Sequence, residues 1–103
     1  MVHITIKRNE LGELKSLTVE GHAGFESEGG DIVCAAISAL VGFLGLVFTE
    51  LRPEAGSVSA EDGFFELSVV DLDSVQVTLD AWVLSVRQLE DNYRGWVKVV
   101  EEN

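Results

Sequence analysis

A chain of 103 residues is long enough for one domain around one core and too short for two. Its apolar fraction of 47% with a single proline is typical of a folded globular protein. Eighteen acidic against seven basic residues give a formal charge of −11, which argues against direct binding to nucleic acid, since such binding needs a basic patch. The same charge favours encounter with basic peptides or proteins. An equal alternative is that the acidic surface only keeps the protein soluble.

The first hairpin is predicted from its alternation of apolar and polar residues. Val2–Arg8 alternates as a half-buried strand, residues 9–12 have turn chemistry, and residues 13–21 return as the second strand. Residues 21–30 then contain four glycines, which is typical of a surface loop. The N-terminus lacks the apolar run of a signal peptide, so we expect a cytoplasmic protein.

A long helix is predicted to follow this loop. Asp31 is the expected N-cap, and the helix ends near Leu51, just before Pro53. Between Asp31 and Glu50 the segment carries no charge, which approaches the length of a membrane span. Its small and hydroxyl residues and the lack of a flanking basic anchor favour a buried core helix and no membrane contact.

The second half of the chain repeats the order of the first. Strands are predicted at 57–61 and 64–70 around an Asp-Gly turn, a helix over 75–93, and a last strand at 96–101. The expected fold class is α+β, a single domain over residues 1–103 in the order β-β-α-β-β-α-β. Two helices then pack on one face of a mixed, mainly antiparallel sheet.

Cys34, the one cysteine of the chain, excludes an internal disulfide and any CxxC motif. A lone cysteine is usually a small buried hydrophobe. At about 100° per residue, however, it falls in a sector of roughly 80° that holds the small and polar residues of the first helix. These residues are Asp31, Cys34, Ser38, Gly42, Gly45 and Thr49. Its predicted place in the first helical turn favours chemistry, because a helix N-terminus stabilises the negative charge of a thiolate.

Asp31 opposes that negative charge, so a cationic partner is needed, and the candidate is His22. Cys34 follows His22 by twelve positions, across the glycine-rich loop. If the second strand ends beside the helix start, imidazole and thiol come within hydrogen-bond reach. From spacing alone, a solvated surface histidine is the more common outcome. The chain shows no metal-ligand spacing and no phosphate-binding loop pattern, so we expect no metal and no cofactor.

Two short sequence stretches at a fixed separation resemble the signature of a known family. The stretch Gly21-His22-Ala23, the glycine-rich loop and the stretch from Asp31 to Ser38 resemble the signature of the Prp family, the ribosomal-processing cysteine proteases. The resemblance covers essentially the whole chain. It implies removal of a short N-terminal extension from large-subunit ribosomal protein twenty-seven, with cleavage after an apolar-aromatic stretch that ends in paired phenylalanines. It also implies a homodimer whose substrate is a basic ribosomal protein precursor.

The same resemblance implies residue roles. Cys34 becomes the nucleophile and His22 its general base and later acid. The residues implied to support the site are Asp31, Ser38, Gly21 and Ala23. Apart from the resemblance, the glycine-rich loop with Gly24, Phe25, Gly29 and Gly30 is expected to close over the substrate and exclude water. Phe25 is expected either to touch an apolar substrate or, equally, to pack into the core.

Backbone N–H groups at the helix start, that of Cys34 included, are expected to hold the oxyanion. The group that orients His22 is Asp31, Glu28 or a backbone carbonyl, unless the site works as a dyad. The alternative function is a non-catalytic, ribosome-associated binding module of the same shape.

Overall fold

The computed structural model describes residues 1–21 and 28–103, and its elements follow the predicted order. The strands and long helices are β1 Val2–Arg8, β2 Leu14–Glu20, α1 Glu28–Leu46, β3 Gly56–Glu61, β4 Phe64–Val69, α2 Leu72–Asn92 and β5 Val97–Glu102. A π-helical turn at Val47–Leu51 and a 3-10 turn at Pro53–Ala55 join α1 to β3.

The five strands form one sheet in the order β3-β4-β2-β1-β5. β1 and β5 are parallel, and the other neighbours are antiparallel, which confirms the mixed, mainly antiparallel sheet. Because side chains alternate between the two faces of a strand, Val2, Ile4 and Ile6 all face the core. The strand residues described on the opposite face are exposed or half-buried, so both helices cover the same face.

Each helix contributes one apolar stripe to the core. Trp82 of α2 is 2% exposed, and its Nε1–H donates to the carbonyl of Leu40 in α1 at 2.9 Å, which joins the two helices. Gln76 of α2 accepts from the N–H of Leu14 and donates to its carbonyl, both at 3.0 Å. This pair of bonds lies where the β1–β2 register shifts and fixes α2 on the sheet.

The start of α1 differs from the prediction. The helix begins at Glu28, so the expected cap at Asp31 is wrong, and Gly29 and Gly30 belong to the first helical turn instead of the preceding loop. An acidic residue is favoured throughout the first turn of a helix, so Asp31 indicated the region of the start and not the cap itself. At α2 the cap is Asp71, whose Oδ1 accepts from the N–H of Ser74 at 3.4 Å.

α1 is buried on one side only, which corrects the prediction of a buried core helix. The stretch Ile32–Leu51, which joins most of α1 to the π-helical turn after it, has a mean hydropathy of 2.5, and 28% of it is buried. In the described part of the chain it is the one helix that passes for a membrane span by length and composition. Its inward residues belong to the core that lies on the sheet.

The outward side of the two helices is also apolar. Ile32, Phe43 and Leu46 of α1 are about half exposed, and Val77 and Leu84 of α2 are mostly exposed. We call these five residues the outer apolar face. A groove of about 440 Å³ runs between the helices on this side, lined by Leu40, Phe43, Val77, Thr78, Ala81, Trp82 and Ser85.

Candidate active site

A cleft of about 270 Å³ opens between α1 and the tip of the β3–β4 hairpin. α1 contributes Cys34 and Ser38 to one wall, and the hairpin contributes residues 60–65 to the other. The other described lining residues are four with apolar side chains, Val2, Val19, Ile37 and Val41, and one glycine, Gly21. The cleft therefore combines a thiol with mostly apolar walls, a combination suited to holding an apolar peptide segment.

The wall formed by α1 follows from helical periodicity. Val33 and Ile37 are buried in the core, whereas Cys34 is half-buried and Ser38 is exposed. Residues four apart lie on the same face of a helix, so Cys34 and Ser38 line the cleft together. The predicted small and polar stripe is confirmed at these two positions.

Cys34 lies deeper in the helix than predicted. It is the seventh residue of α1, beyond the first turn. In a regular α-helix its N–H is bonded to the carbonyl four residues earlier, so it is not a free oxyanion donor. The effect of the helix dipole also falls off within the first turn. The position of Cys34 in the cleft, and not its closeness to the helix start, is what singles it out.

Gly21 ties the end of β2 to both neighbouring elements. Its φ is +96°, and a Cβ there would collide with the carbonyl oxygen of Met1. Its N–H donates to the carbonyl of Gly63 in the hairpin turn at 3.0 Å. Glycine is thus required on two counts at a residue that lines the cleft and directly precedes His22 in the sequence.

Several predicted site residues lie outside the described residues: His22, Ala23, Gly24 and Phe25. For Asp31, Gly29 and Gly30 the structure gives the helical backbone. The pairing of Cys34 with His22, the orienting group and the substrate-loop roles therefore stay predictions.

The charge of the cleft is negative. Among its described lining residues, the charged ones are Glu61 and Asp62, both exposed at the hairpin turn. Negative charge at the mouth of a cleft raises the local concentration of cationic partners. In the described part of the chain, no group of three or more His, Cys, Asp or Glu side chains is placed to hold a metal ion.

The hairpin wall was missed by the sequence analysis, although the hairpin and its Asp-Gly turn were predicted. β4 pairs with β2 so that Phe64 lies opposite Glu20, which brings the turn beside Gly21. This proximity depends on the strand order of the sheet, and no local pattern in the sequence reports it.

Comparison with known proteins identifies similar chains. Residues 1–98 match the protein family described as cysteine protease Prp. The ribosomal processing cysteine protease Prp of Staphylococcus aureus is 29% identical over 103 residues, which cover 96% of this chain and 97% of that protein. The protein of the same name from Bacillus subtilis is 28% identical, with 96% of each chain covered.

Solved structures give the same picture. The crystal structure of the essential ribosomal processing protease Prp from S. aureus with a substrate peptide has a TM-score of 0.86 to this chain. The sequences are 26% identical, and the match covers 98% of this chain and 99% of the other. The complex of that protease with a covalently linked product peptide also has a TM-score of 0.86, at 27% identity and with the same coverage.

Proposed function

Because the chain belongs to the Prp family of ribosomal processing cysteine proteases, we propose that it removes the N-terminal extension of large-subunit ribosomal protein twenty-seven. The observation that carries the proposal is the half-buried Cys34 in a cleft with apolar walls. Apolar walls suit the apolar-aromatic stretch that ends in paired phenylalanines, since burial of such side chains provides binding energy.

We assign the nucleophile to Cys34 and the proton transfers to His22. The thiolate sulfur bonds to the scissile carbonyl carbon, and the carbonyl electron pair moves onto oxygen. When the C=O bond re-forms, the C–N bond breaks, and the imidazolium gives its proton to the departing amine. Water then attacks the thioester while imidazole accepts one of its protons. The C–S bond breaks, which restores the thiolate–imidazolium pair and releases the new carboxylic acid, which ionises by losing its proton to solvent.

The oxyanion needs donors other than the N–H of Cys34, which the helix already engages. The hydroxyl of Ser38 is a donor on the same wall, one turn further along α1 and exposed to the cleft. A donor aimed at the developing charge is worth about 10²–10³ in rate. We therefore assign to Ser38 a specific supporting role, which is to donate a hydrogen bond to the oxyanion.

The charge distribution supports a basic substrate. The chain carries a net charge of −11, and the hairpin turn places Glu61 and Asp62 at the mouth of the cleft. Complementary charge speeds encounter and selects partners more than it adds affinity. A basic ribosomal protein precursor fits this surface, and direct contact with nucleic acid does not.

We further propose that the protein is a cytoplasmic homodimer. The outer apolar face leaves Val77 86% and Leu84 67% exposed, and exposed apolar patches of this kind mark interaction surfaces. A second copy placed there would leave the cleft open, because the face and the cleft have no lining residue in common. A reducing cytoplasm keeps Cys34 as a free thiol.

The experiment is cleavage of a synthetic peptide that spans the extension and the first residues of the mature protein. Wild type cuts after the paired phenylalanines, Cys34→Ala does not cut, and His22→Ala loses about 10²-fold or more in rate. The exposed Lys15→Ala is the control and keeps wild-type rates. Circular dichroism confirms that each variant is folded. A folded, reduced wild type that leaves the peptide intact would favour the non-catalytic binding module.

A second measurement reports on the thiol itself. Iodoacetamide alkylates thiolates, so Cys34 is expected to react readily at neutral pH and more slowly in His22→Ala. Equal alkylation rates in the two proteins would remove the argument for an activated pair.

A further inference from the structure

The two edge strands of the sheet, β3 and β5, are protected to different degrees. An edge strand presents unpaired N–H and C=O groups, which are a template for another extended chain. Natural proteins usually cover such groups or flank them with charge. An edge without this protection is therefore a candidate binding surface.

The β5 edge is closed by side chains of α2. The N–H of Val99 donates to Oε2 of Glu90 at 2.8 Å, and the carbonyl of Val99 accepts from Nη1 of Arg87 at 3.3 Å. Charged residues occupy three of the six positions of this strand: Lys98, Glu101 and Glu102. A peptide strand would have to displace these bonds, so β5 is unsuited to strand addition.

The β3 edge is open. In a two-residue hairpin the residues that flank the turn, here Glu61 and Phe64, form a hydrogen-bonded pair. Because such pairs recur at every second residue of an antiparallel ladder, Ser59 and Ser57 are the next residues of β3 that hydrogen-bond to β4. Val58 and Ala60 consequently direct their N–H and C=O groups away from the sheet. Within residues 1–21 and 28–103 no hydrogen bond to these four groups is present.

The side chains of β3 leave this edge accessible. The strand reads Gly-Ser-Val-Ser-Ala-Glu, so its residues are small up to the final Glu61. Val58 packs against the core, which places its side chain, and that of Ala60, on the helix-covered face of the sheet. Ala60 and Glu61 also line the cleft that contains Cys34. The open edge and the thiol thus border the same cleft.

We propose that the substrate binds as a sixth strand along β3, with its backbone hydrogen-bonded to Val58 and Ala60, next to the wall that carries Cys34. This proposal rests on the protease function proposed above. In strand addition the main-chain bonds hold the peptide, and every second side chain enters the cleft. Selectivity then comes from alternate residues of the substrate, which meet the apolar lining.

Amide hydrogen exchange tests the proposal without catalysis. The uniformly ¹⁵N-labelled Cys34→Ala variant is saturated with the unlabelled extension peptide. The amides of Val58 and Ala60 should exchange at least about tenfold more slowly in the complex, since both gain a bond. Ser59, already paired with β4, and Val99, already bonded to Glu90, are internal controls that should not change.

The outcomes separate the two proposals. A peptide that binds without slowing exchange at Val58 and Ala60 overturns strand addition and leaves the protease function standing. A peptide that does not bind at all overturns both the substrate assignment and strand addition. Slow exchange that grows with protein concentration in the free protein shows that a second copy occupies the edge, which also overturns the proposal.

A substrate series gives an independent readout that needs no protein variant. Peptides are N-methylated at one amide at a time, at positions two or more residues from the scissile bond. Strand addition predicts losses of about tenfold in kcat/KM at every second position and little change between them, because alternate amides face β3. A uniform response along the peptide contradicts it.

Discussion

Replacing Gly21 with alanine adds a methyl group where the backbone of Met1 already lies. Gly21 has a φ of +96°, and its Cβ would collide with the Met1 carbonyl oxygen. The left-handed backbone alone costs an L-residue roughly 1–2 kcal/mol. The collision is with backbone, which cannot rotate away as a side chain can, so the start of β1 must shift. We expect a total loss of at least about 2 kcal/mol, a large part of the roughly 5–15 kcal/mol that holds a domain folded.

Gly95 provides a matched control. Its φ is +93°, and an added Cβ would meet nothing within 4 Å. Gly95→Ala therefore carries the dihedral cost without the collision, and we expect it to lose about 1 kcal/mol. The urea midpoint of each variant, at unchanged slope, gives the two losses. In thermal unfolding each kcal/mol corresponds to roughly 4–8 °C for a domain of this size.

Activity should separate the two variants further. Gly21 lines the cleft and directly precedes His22, so a shift there disturbs the catalytic geometry even where the protein is folded. We expect kcat/KM for the extension peptide to fall about tenfold or more in Gly21→Ala, because small misplacements of reacting groups are costly. Gly95→Ala should keep the wild-type value. Equal losses of stability and activity in the two variants would refute the argument from the Met1 contact.

Three further changes test the charges and surfaces described above. Phe43→Glu places a charge on the outer apolar face and should yield a folded monomer in sedimentation velocity; a persistent dimer rules out this face. Hydrogen bonding to Arg87 holds the pKa of Glu101 below its ordinary value. The ionised Glu101 therefore stabilises the folded protein fully at a pH above its unfolded pKa of about 4.3, and this stabilisation is lost as the pH falls through its lower pKa in the folded state. Glu101→Gln should accordingly lose less stability than wild type between about pH 6 and pH 3, and parallel curves contradict the linkage. The double change Glu61→Gln, Asp62→Asn should lower kcat/KM for a basic peptide at low salt, with the difference shrinking near about 0.5 M salt; an equal loss at both salt levels excludes an electrostatic role.

The elements of the fold could be predicted because their patterns are local. The bounds of Val2–Arg8 agree with the structure, since alternation of apolar and polar residues directly reports a half-buried strand. The start of α1 was misplaced by four residues, because two glycines were taken as loop although a helix tolerates them at about 1 kcal/mol each. Burial of α1 was overpredicted for a related reason. Its outward residues are apolar, and composition alone does not reveal that they stay exposed among residues 1–21 and 28–103.

One wall of the candidate site could be predicted from local sequence, and the other could not. Cys34 and Ser38 could be placed on one wall, since a spacing of four residues suffices. The facing wall could not be predicted, because it depends on the pairing of β4 with β2, between residues more than forty positions apart. The openness of the β3 edge could not be predicted either, since strand order decides which strand lies at an edge.

The open edge and the acidity of the chain point to the same kind of partner. An unprotected edge invites pairing between copies, and the small residues of β3 provide no obstacle to it. The carboxylates of Glu61 and Asp62 lie at the turn where this edge ends and are both exposed, so two copies approaching there repel each other. A cationic peptide meets attraction where a second copy meets repulsion. The charge at the hairpin turn therefore disfavours pairing between copies along the uncovered edge and favours the extended, basic substrate proposed above.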